Sequence, residues 1–540
     1  MTACSGRAWG VWIAAALLLV ALQTSAPAIE LLDLPLRHWA YEILERLEVR
    51  AGLGRTGLDV RPLRRGQVAE LARRLRAAAR AGTWTPTRIE REQLRMLEHE
   101  FSEEIVALGD TLPILQRTYH RWGGEEWQFQ LFFFAGQLAS RDNRDLSQEF
   151  TQVDAGVFFQ PQAALQLGGH FVAFLDLLLR WRTTNGVLRN STDPREGEAE
   201  FVFEASDRFS FTRTVQPYVR WKQGPLLVDV GRERLRWGPG RANAMLLLDG
   251  TPPLDVLRID LDFGWIRYLH TIGQLRAGKL LPDDPELDDK HLGAHRLIIH
   301  PVRRLTLGVS EAVVYGDRGR DLAYMNPLSV FFVTQANIGD RDNALASIDA
   351  KLLLASLELY GEFLVDDLNL RRGLRHFGNK VGALAGFLWV QPFGAGDWDL
   401  DGEWSWASQF TYTHQIPINR YQHFGATLGS RAGPDADLWS VGLRRQLSRG
   451  WWVRGFYELE RHGEGGLEID QEQRLDDEQE YLSGVVESRH QPGLQVRYRG
   501  LRNLELIVDY RYVRVTNPDN DDRRETLQYH AVRAATRIEF

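Results

Sequence analysis

The chain has 540 residues, a formal net charge of −7 and one cysteine, and a quarter of its residues are charged. With Cys4 the only thiol, the rest of the chain has neither a disulfide framework nor a cysteine metal site, and no basic block is long enough to give a nucleic-acid footprint. Beyond residue 28 no stretch approaches the roughly eighteen apolar residues that a helical membrane span needs, in keeping with a mean hydropathy of −0.32.

In chain order, Arg7 is the only charge before an apolar run from Trp9 to Leu22, and Ser25 to Ala28 offers a small-residue cleavage site. This layout predicts a secretory signal peptide over 1–28. Residues 29–120 read as a helical segment on the periplasmic side. Trp39, Ile43, Leu44 and Leu47 recur at helical spacing behind Pro35, until Gly52 and Gly54 break the pattern. A second helix is expected over 65–80, with Val68, Leu71, Ala72 and Leu75 on one face. A third is expected over 88–107, carried by Ile89, Leu94, Leu97, Phe101 and Ile105.

From 121 to 540 the period changes from helical to two. Leu357, Leu359, Gly361, Phe363 and Val365 alternate with Glu358, Tyr360, Glu362 and Leu364, and segments 453–461 and 506–513 repeat the pattern. Short connections are expected at 160–162, 223–225, 301–303, 448–450 and 500–502. Long ones fall at 183–206, 237–255, 316–344 and 462–486. Such alternation is the signature of an all-β transmembrane protein, an antiparallel outer-membrane β-barrel. Read back from Phe540, Ile538, Thr536, Ala534 and Val532 share one face, and Glu539, Arg537 and Arg533 the other. A terminal aromatic closing such a strand resembles the C-terminal signature of bacterial outer-membrane barrels. A direct tally gives about nineteen strands, but a barrel with both termini in the periplasm needs an even number. About eighteen is expected, with roughly sixteen or twenty as alternatives. The tally is therefore one strand too many or too few, and the weak segments are 256–277 and 391–422.

Two resemblances add to this reading. "HWAYEILERLEVRAGL" (38–53) and "RPLRRGQVAELARRL" (61–75) resemble a degenerate S-layer-homology repeat. That implies either a module for a peptidoglycan-linked polymer or a plain helical cap on the barrel. Residues 229–259, 295–319, "AYMNPLSVFFVTQ" (323–335) and 359–368, with weaker support from 433–444, resemble the Wzi-type capsule assembly family of outer-membrane barrel lectins. The resemblance implies a barrel of about eighteen strands, closed by periplasmic helices, that holds exported capsular or extracellular polysaccharide at the cell surface.

Sugar recognition needs flat aromatic faces and planar polar groups in a concave site. The expected polysaccharide contacts are Trp237, Arg241, Asn243 and Asp249 in one long loop, and Tyr315, Asp317, Arg320, Tyr324 and Asn326 in another. The lumen-facing charges Glu358, Glu362, Arg454, Glu458, Arg511, Arg533 and Arg537 either line a channel or pair and plug it. A porin-like or polysaccharide-export channel is therefore the alternative function. Partners are surface polysaccharide and outer-membrane lipid, and nucleic acid is not among them. No nucleophile elbow, zinc-binding His pair on a helix or phosphate loop is present, so no catalytic residue, metal or cofactor is expected.

Overall fold

The structure is a computed structural model that describes residues 28–113, 120–124, 126–142, 152–184, 202–205, 209–277, 289–367, 379–392, 394, 397–448, 450–468, 480–499 and 504–539. The signal-peptide reading lies, but for Ala28, outside these residues, as does Phe540.

Eighteen antiparallel strands close into a barrel. They are β1 (Trp127–Asp142), β2 (Gln152–Leu167), β3 (Phe171–Thr184), β4 (Phe209–Gln223), β5 (Leu226–Glu233) and β6 (Leu254–Asp262). Next come β7 (Ile266–Leu275), β8 (Lys290–Val302), β9 (Leu305–Gly316), β10 (Asn343–Leu353), β11 (Leu357–Asp367) and β12 (Lys380–Val390). The last six are β13 (Trp398–Ala407), β14 (Ala436–Ser448), β15 (Trp451–His462), β16 (Glu487–Tyr498), β17 (Leu504–Thr516) and β18 (Leu527–Glu539). Each strand pairs with its chain neighbours, and β18 closes on β1 with Ala531 opposite Asp142 and Glu539 opposite Phe134. One end of the barrel carries tight turns, where Gly224 and Gly450 adopt positive φ (56° and 85°) that a Cβ would strain. The other end carries the long connections.

The even count resolves the parity conflict. Leu357–Asp367 runs from the turn end to the loop end, so the surplus strand belonged to 391–422. That segment holds one barrel strand, Trp398–Ala407; the residues after it fold into the lumen. The turn expected at 160–162 is absent because Pro161 lies within β2. Pairing with β3 lapses between Phe159↔Leu179 and Gln162↔Asp176, so the strand tolerates a residue without an N–H.

The helical segment forms α1 (Ala40–Ala51), α2 (Arg65–Arg80), α3 (Arg88–Glu100) and α4 (Ser102–Ala107). The helix expected over 88–107 is broken at Phe101, whose φ and ψ of −106° and 26° are not helical. Leu44, Leu47, Val68, Leu71, Leu75, Leu97 and Phe101 make its core, joined by Trp452 from the barrel wall. Thr87 and Glu90 form a capping box: the Thr87 hydroxyl accepts from the Glu90 N–H (3.2 Å), and the Glu90 carboxylate accepts from the Thr87 N–H (2.7 Å). The other Glu90 oxygen accepts from Arg46 and Arg50 of α1, so one buried carboxylate fixes the angle between two helices.

Candidate functional site

The head enters the lumen from the turn end and is held there by side-chain ion pairs. Lys351 donates to Glu48 (2.9 Å), Arg46 to Asp399 (2.9 Å), Arg497 to Glu42 (2.7 Å) and Arg220 to Asp33 (2.7 Å). Arg296, 1% exposed, bridges Asp59 of the head and Asp349 of β10. These side chains occupy inward positions of the strands, where period two places every second residue.

The 234–253 loop descends from the loop end and meets the head inside the barrel. Val60 and Arg61 pair as a short ladder with Trp237 and Arg236, and Gly238 N–H donates to the Asp59 carbonyl (2.9 Å). The loop is locked by carboxylates of the wall. Glu403 accepts from the N–H groups of Arg241 (2.6 Å) and Asn243 (2.8 Å) and from the Tyr360 hydroxyl (2.9 Å); Glu362 accepts from Met245 N–H (3.1 Å). This explains the small residues of "GPGRANAM": a Cβ on Gly238 would sit 2.9 Å from Glu362, and one on Gly240 would meet the Asn243 carbonyl. The 408–435 loop closes over it, with the Tyr412 and Tyr421 hydroxyls donating to the Met245 and Leu246 carbonyls (2.6 and 2.9 Å).

Six of the nine expected sugar contacts therefore sit elsewhere than in an exposed loop. Trp237 is 1% exposed in the lumenal core, and Asn243 is fully buried, donating to Ser405 and Ser430 (2.9 and 2.8 Å). Arg241 is paired with Glu45 and Glu358, and Asp249 with Arg236. Burial disfavours ionisation of Glu45, but Arg241 and Arg61 override it and hold its pKa down to about 2. Tyr315 and Tyr324 are buried against each other on the outward face of the wall, with ring centroids 5.0 Å apart. Asp317, Arg320 and Asn326 remain exposed. Loop length and composition signalled accessibility, but they carry no information on whether a loop folds away from the barrel or into it.

The lumenal charges mostly pair. Arg454 binds Asp401 (2.7 Å), Arg511 binds Glu458 (3.0 Å), and the Arg537 guanidinium lies 4.3 Å from the Phe134 ring centre. Between the head's Leu32–His38 segment and the inner faces of β1–β4, β17 and β18 lies a cavity of about 380 Å³. Phe132, Phe134, Phe158, Phe174 and Tyr218 give it aromatic faces; Gln160, Gln162, Gln216, Asp176 and Arg180 give it planar polar groups. Gln160 and Gln162 both donate to Asp176 at 2.9 Å, which fixes the two amides side by side. Sequence reasoning missed this wall because "LFFFAG" and "VFFQ" are apolar on both faces. Phe133 and Phe159 stack at 6.1 Å on the outward side, and they hide the inward phenylalanines between them. The available signal was Gln and Phe sharing inward positions.

The fold and its contents define a plugged transmembrane β-barrel of eighteen strands. The profile of the capsule assembly protein Wzi family matches residues 122–528, and the chain belongs to that family of outer-membrane barrels. Among solved structures it is similar to Wzi of Escherichia coli, described as a carbohydrate-binding β-barrel of the outer membrane involved in group 1 capsule assembly. Identity there is 15%, 94% of this chain and 98% of that one are covered, and the TM-score is 0.56. Pseudomonas aeruginosa OccK2 also matches, at 10% identity over 76% of this chain and 97% of that one, with a TM-score of 0.44. Curated protein sequences gave no match.

Proposed function

We propose that this outer-membrane protein binds exported polysaccharide and holds it at the cell surface, with its long loops outside and both termini in the periplasm. It acts as a lectin and not as an enzyme. The observation that carries the reading is the cleft on the inner wall of β1–β4: phenylalanine and tyrosine faces beside fixed glutamine amides, a surface suited to sugar C–H faces and hydroxyls. The E. coli relative binds carbohydrate, which supports the same class of ligand. The plug supports binding over free conduction, because the head and the 234–253 loop are joined to each other and to the wall across the lumen. Of the expected loop residues, Asp317, Arg320 and Asn326 are exposed, and the exposure of Asp317 and Arg320 supports a role for them in sugar contact at the rim. The α1 charges Glu42, Arg46 and Glu48 are all bound to barrel strands, which supports a plug role for the S-layer-like segment over a wall-binding one.

The test is a Phe158→Ala, Gln160→Ala double variant, with Asp317→Ala, Arg320→Ala in a separate strain. Polysaccharide release into the medium, at unchanged barrel abundance and heat-modifiable mobility, is the expected result for the first. Polysaccharide that stays cell-bound, together with unchanged oligosaccharide quenching of tryptophan fluorescence in the purified barrel, defeats the cleft assignment. Release in the second strain alone moves the site to the rim.

A further inference from the structure

The connection between β9 and β10 behaves unlike the loops that turn into the lumen. It carries two short helices, α5 (Leu322–Met325) and α6 (Phe331–Ile338). The wall residues that hold its 321–339 part lie on the outward, lipid-side face, while the Arg341 carbonyl at its end accepts from Asn419 of the 408–435 loop (2.8 Å). On β7 the inward positions are Arg267, Leu269 and Thr271, with Arg267 bound to lumenal Asp260, so Tyr268 and His270 point outward. On β8, Arg296 points inward to Asp59, so Gly293 and His295 point outward. A Cβ on Gly293 would meet Val313, Phe331 and Tyr324 within 3.5 Å, which places the connection directly on the outer wall.

Its depth follows from the register. Met325 carbonyl accepts from His270 Nε2 (3.2 Å), and Pro327 carbonyl accepts from the Tyr268 hydroxyl. His270 lies in the middle of β7, five residues from its loop end at Leu275. A strand tilted by about 40° with a rise of roughly 3.3 Å per residue puts that position about 12 Å below the loop end, inside an apolar band about 25 Å tall. Tyr268 is nearer still to Phe263 and Trp265, the exposed aromatics of the turn end.

At that depth free backbone polar groups are excluded, and irregular chain persists only where its N–H and C=O groups find protein partners. The wall supplies them. Besides the two carbonyl contacts, Phe331 N–H donates to Glu311 (2.9 Å), which His295 also engages at 2.9 Å. Asp321 caps the Ala323 N–H (2.9 Å) and Asn326 the Leu328 N–H (3.0 Å). This accounts for a His, Tyr and Glu cluster on a strand face that lipid would otherwise cover. Most side chains turned away from the wall are apolar: Leu328 is 87% and Leu322 79% exposed, Val330, Phe332, Val333 and Ile338 are also exposed, and Asn326 and Asn337 are the exposed polar ones among them. The apolar ones continue the belt formed by Val309 and Ile348 on β9 and β10.

We infer that residues 321–339 are a membrane-embedded hairpin clamped to the outside of the barrel, and that its exposed apolar face contacts the acyl chains of the lipid leaflet at the loop end. On the orientation proposed above, this is the outer leaflet. The assignment makes Asn326 and Tyr324 part of a lipid anchor, while Asp317 stays at the water-facing neck.

The test places single cysteines in the full-length protein carrying Cys4→Ser, reconstituted in phosphatidylcholine vesicles. Leu328→Cys and Val333→Cys are the probes, Ile348→Cys the lipid control and Asp317→Cys the aqueous control. Spin labels at the two probe sites are expected to match Ile348→Cys, with high oxygen and low nickel-chelate accessibility, and to lose labelling by a membrane-impermeant maleimide. Behaviour like that of Asp317→Cys overturns the inference. Because the measurement reads depth alone, it fails or succeeds independently of glycan binding.

Discussion

The inner wall of the barrel is built in two manners. On β11, inward Glu358, Tyr360, Glu362, Leu364 and Asp366 are all buried under the head and the descending loop. On β3, inward Phe174, Asp176, Leu178 and Arg180 are only half-buried. Both strands obey the same period-two code, yet one inner face behaves as a protein core and the other as the lining of a cleft. In the packed half each inward charge is answered by an opposite charge or a backbone N–H, as burial demands. In the other half the inward positions carry aromatic rings and amides, which tolerate partial hydration and suit a ligand. The plug thus decides which inner wall stays uncovered.

The most disruptive way to break this contrast is to remove the plug's descending strap. Deleting residues 238–248 strips Glu403 and Glu362 of the N–H groups they accept from, and planar bilayers should then show steady conductance, with none expected for the intact protein. Equal conductance in both would put the plug outside the transport path. Next in size is Arg296→Met, which leaves Asp59 and Asp349 buried and uncompensated. It should cost about 3–5 kcal/mol in denaturant unfolding and expose the head to protease.

A paired truncation compares the two walls directly. Leu364→Ala, at a fully buried site, is expected to cost about 2–5 kcal/mol, and Leu178→Ala on the half-exposed wall less than about 1 kcal/mol. Equal costs would mean that both walls are core. The smallest effect is a titration. Glu45 ionises with a pKa of about 2 in the folded protein against an ordinary 4.5, so its contribution is present above pH 4.5 and is lost as pH falls through 2. At neutral pH that is roughly 3 kcal/mol at most. Glu45→Gln should flatten the acid limb of the stability profile, and an unchanged limb would remove Glu45 from the seam between head and loop.

Much of the architecture was legible in the chain. The helix over 65–80 falls where its apolar spacing put it, and the four long connections expected after β3, β5, β9 and β15 are real. Pro161 misled because a proline inside a strand reads as a turn. The residues after Ala407 misled because lumen-packed loop and barrel strand are both rich in small and aromatic residues. The candidate site was less legible. Trp237, Arg241 and Asn243 were recognised as a chemically dense stretch, but they meet Val60, Glu45 and Ser405, which are far away in sequence.

The sequence by itself determined the strand period, the family and the outer-membrane address, because alternation is local: adjacent side chains must point to opposite faces. It could not determine what lies opposite each face. Whether an inward residue meets plug, ligand or water, and whether a long loop dives into the lumen or clamps the outer wall, depends on contacts across hundreds of residues. Arg296 with Asp59 and His270 with the Met325 carbonyl show this. Only closure of the barrel around its own N-terminal segment decided them.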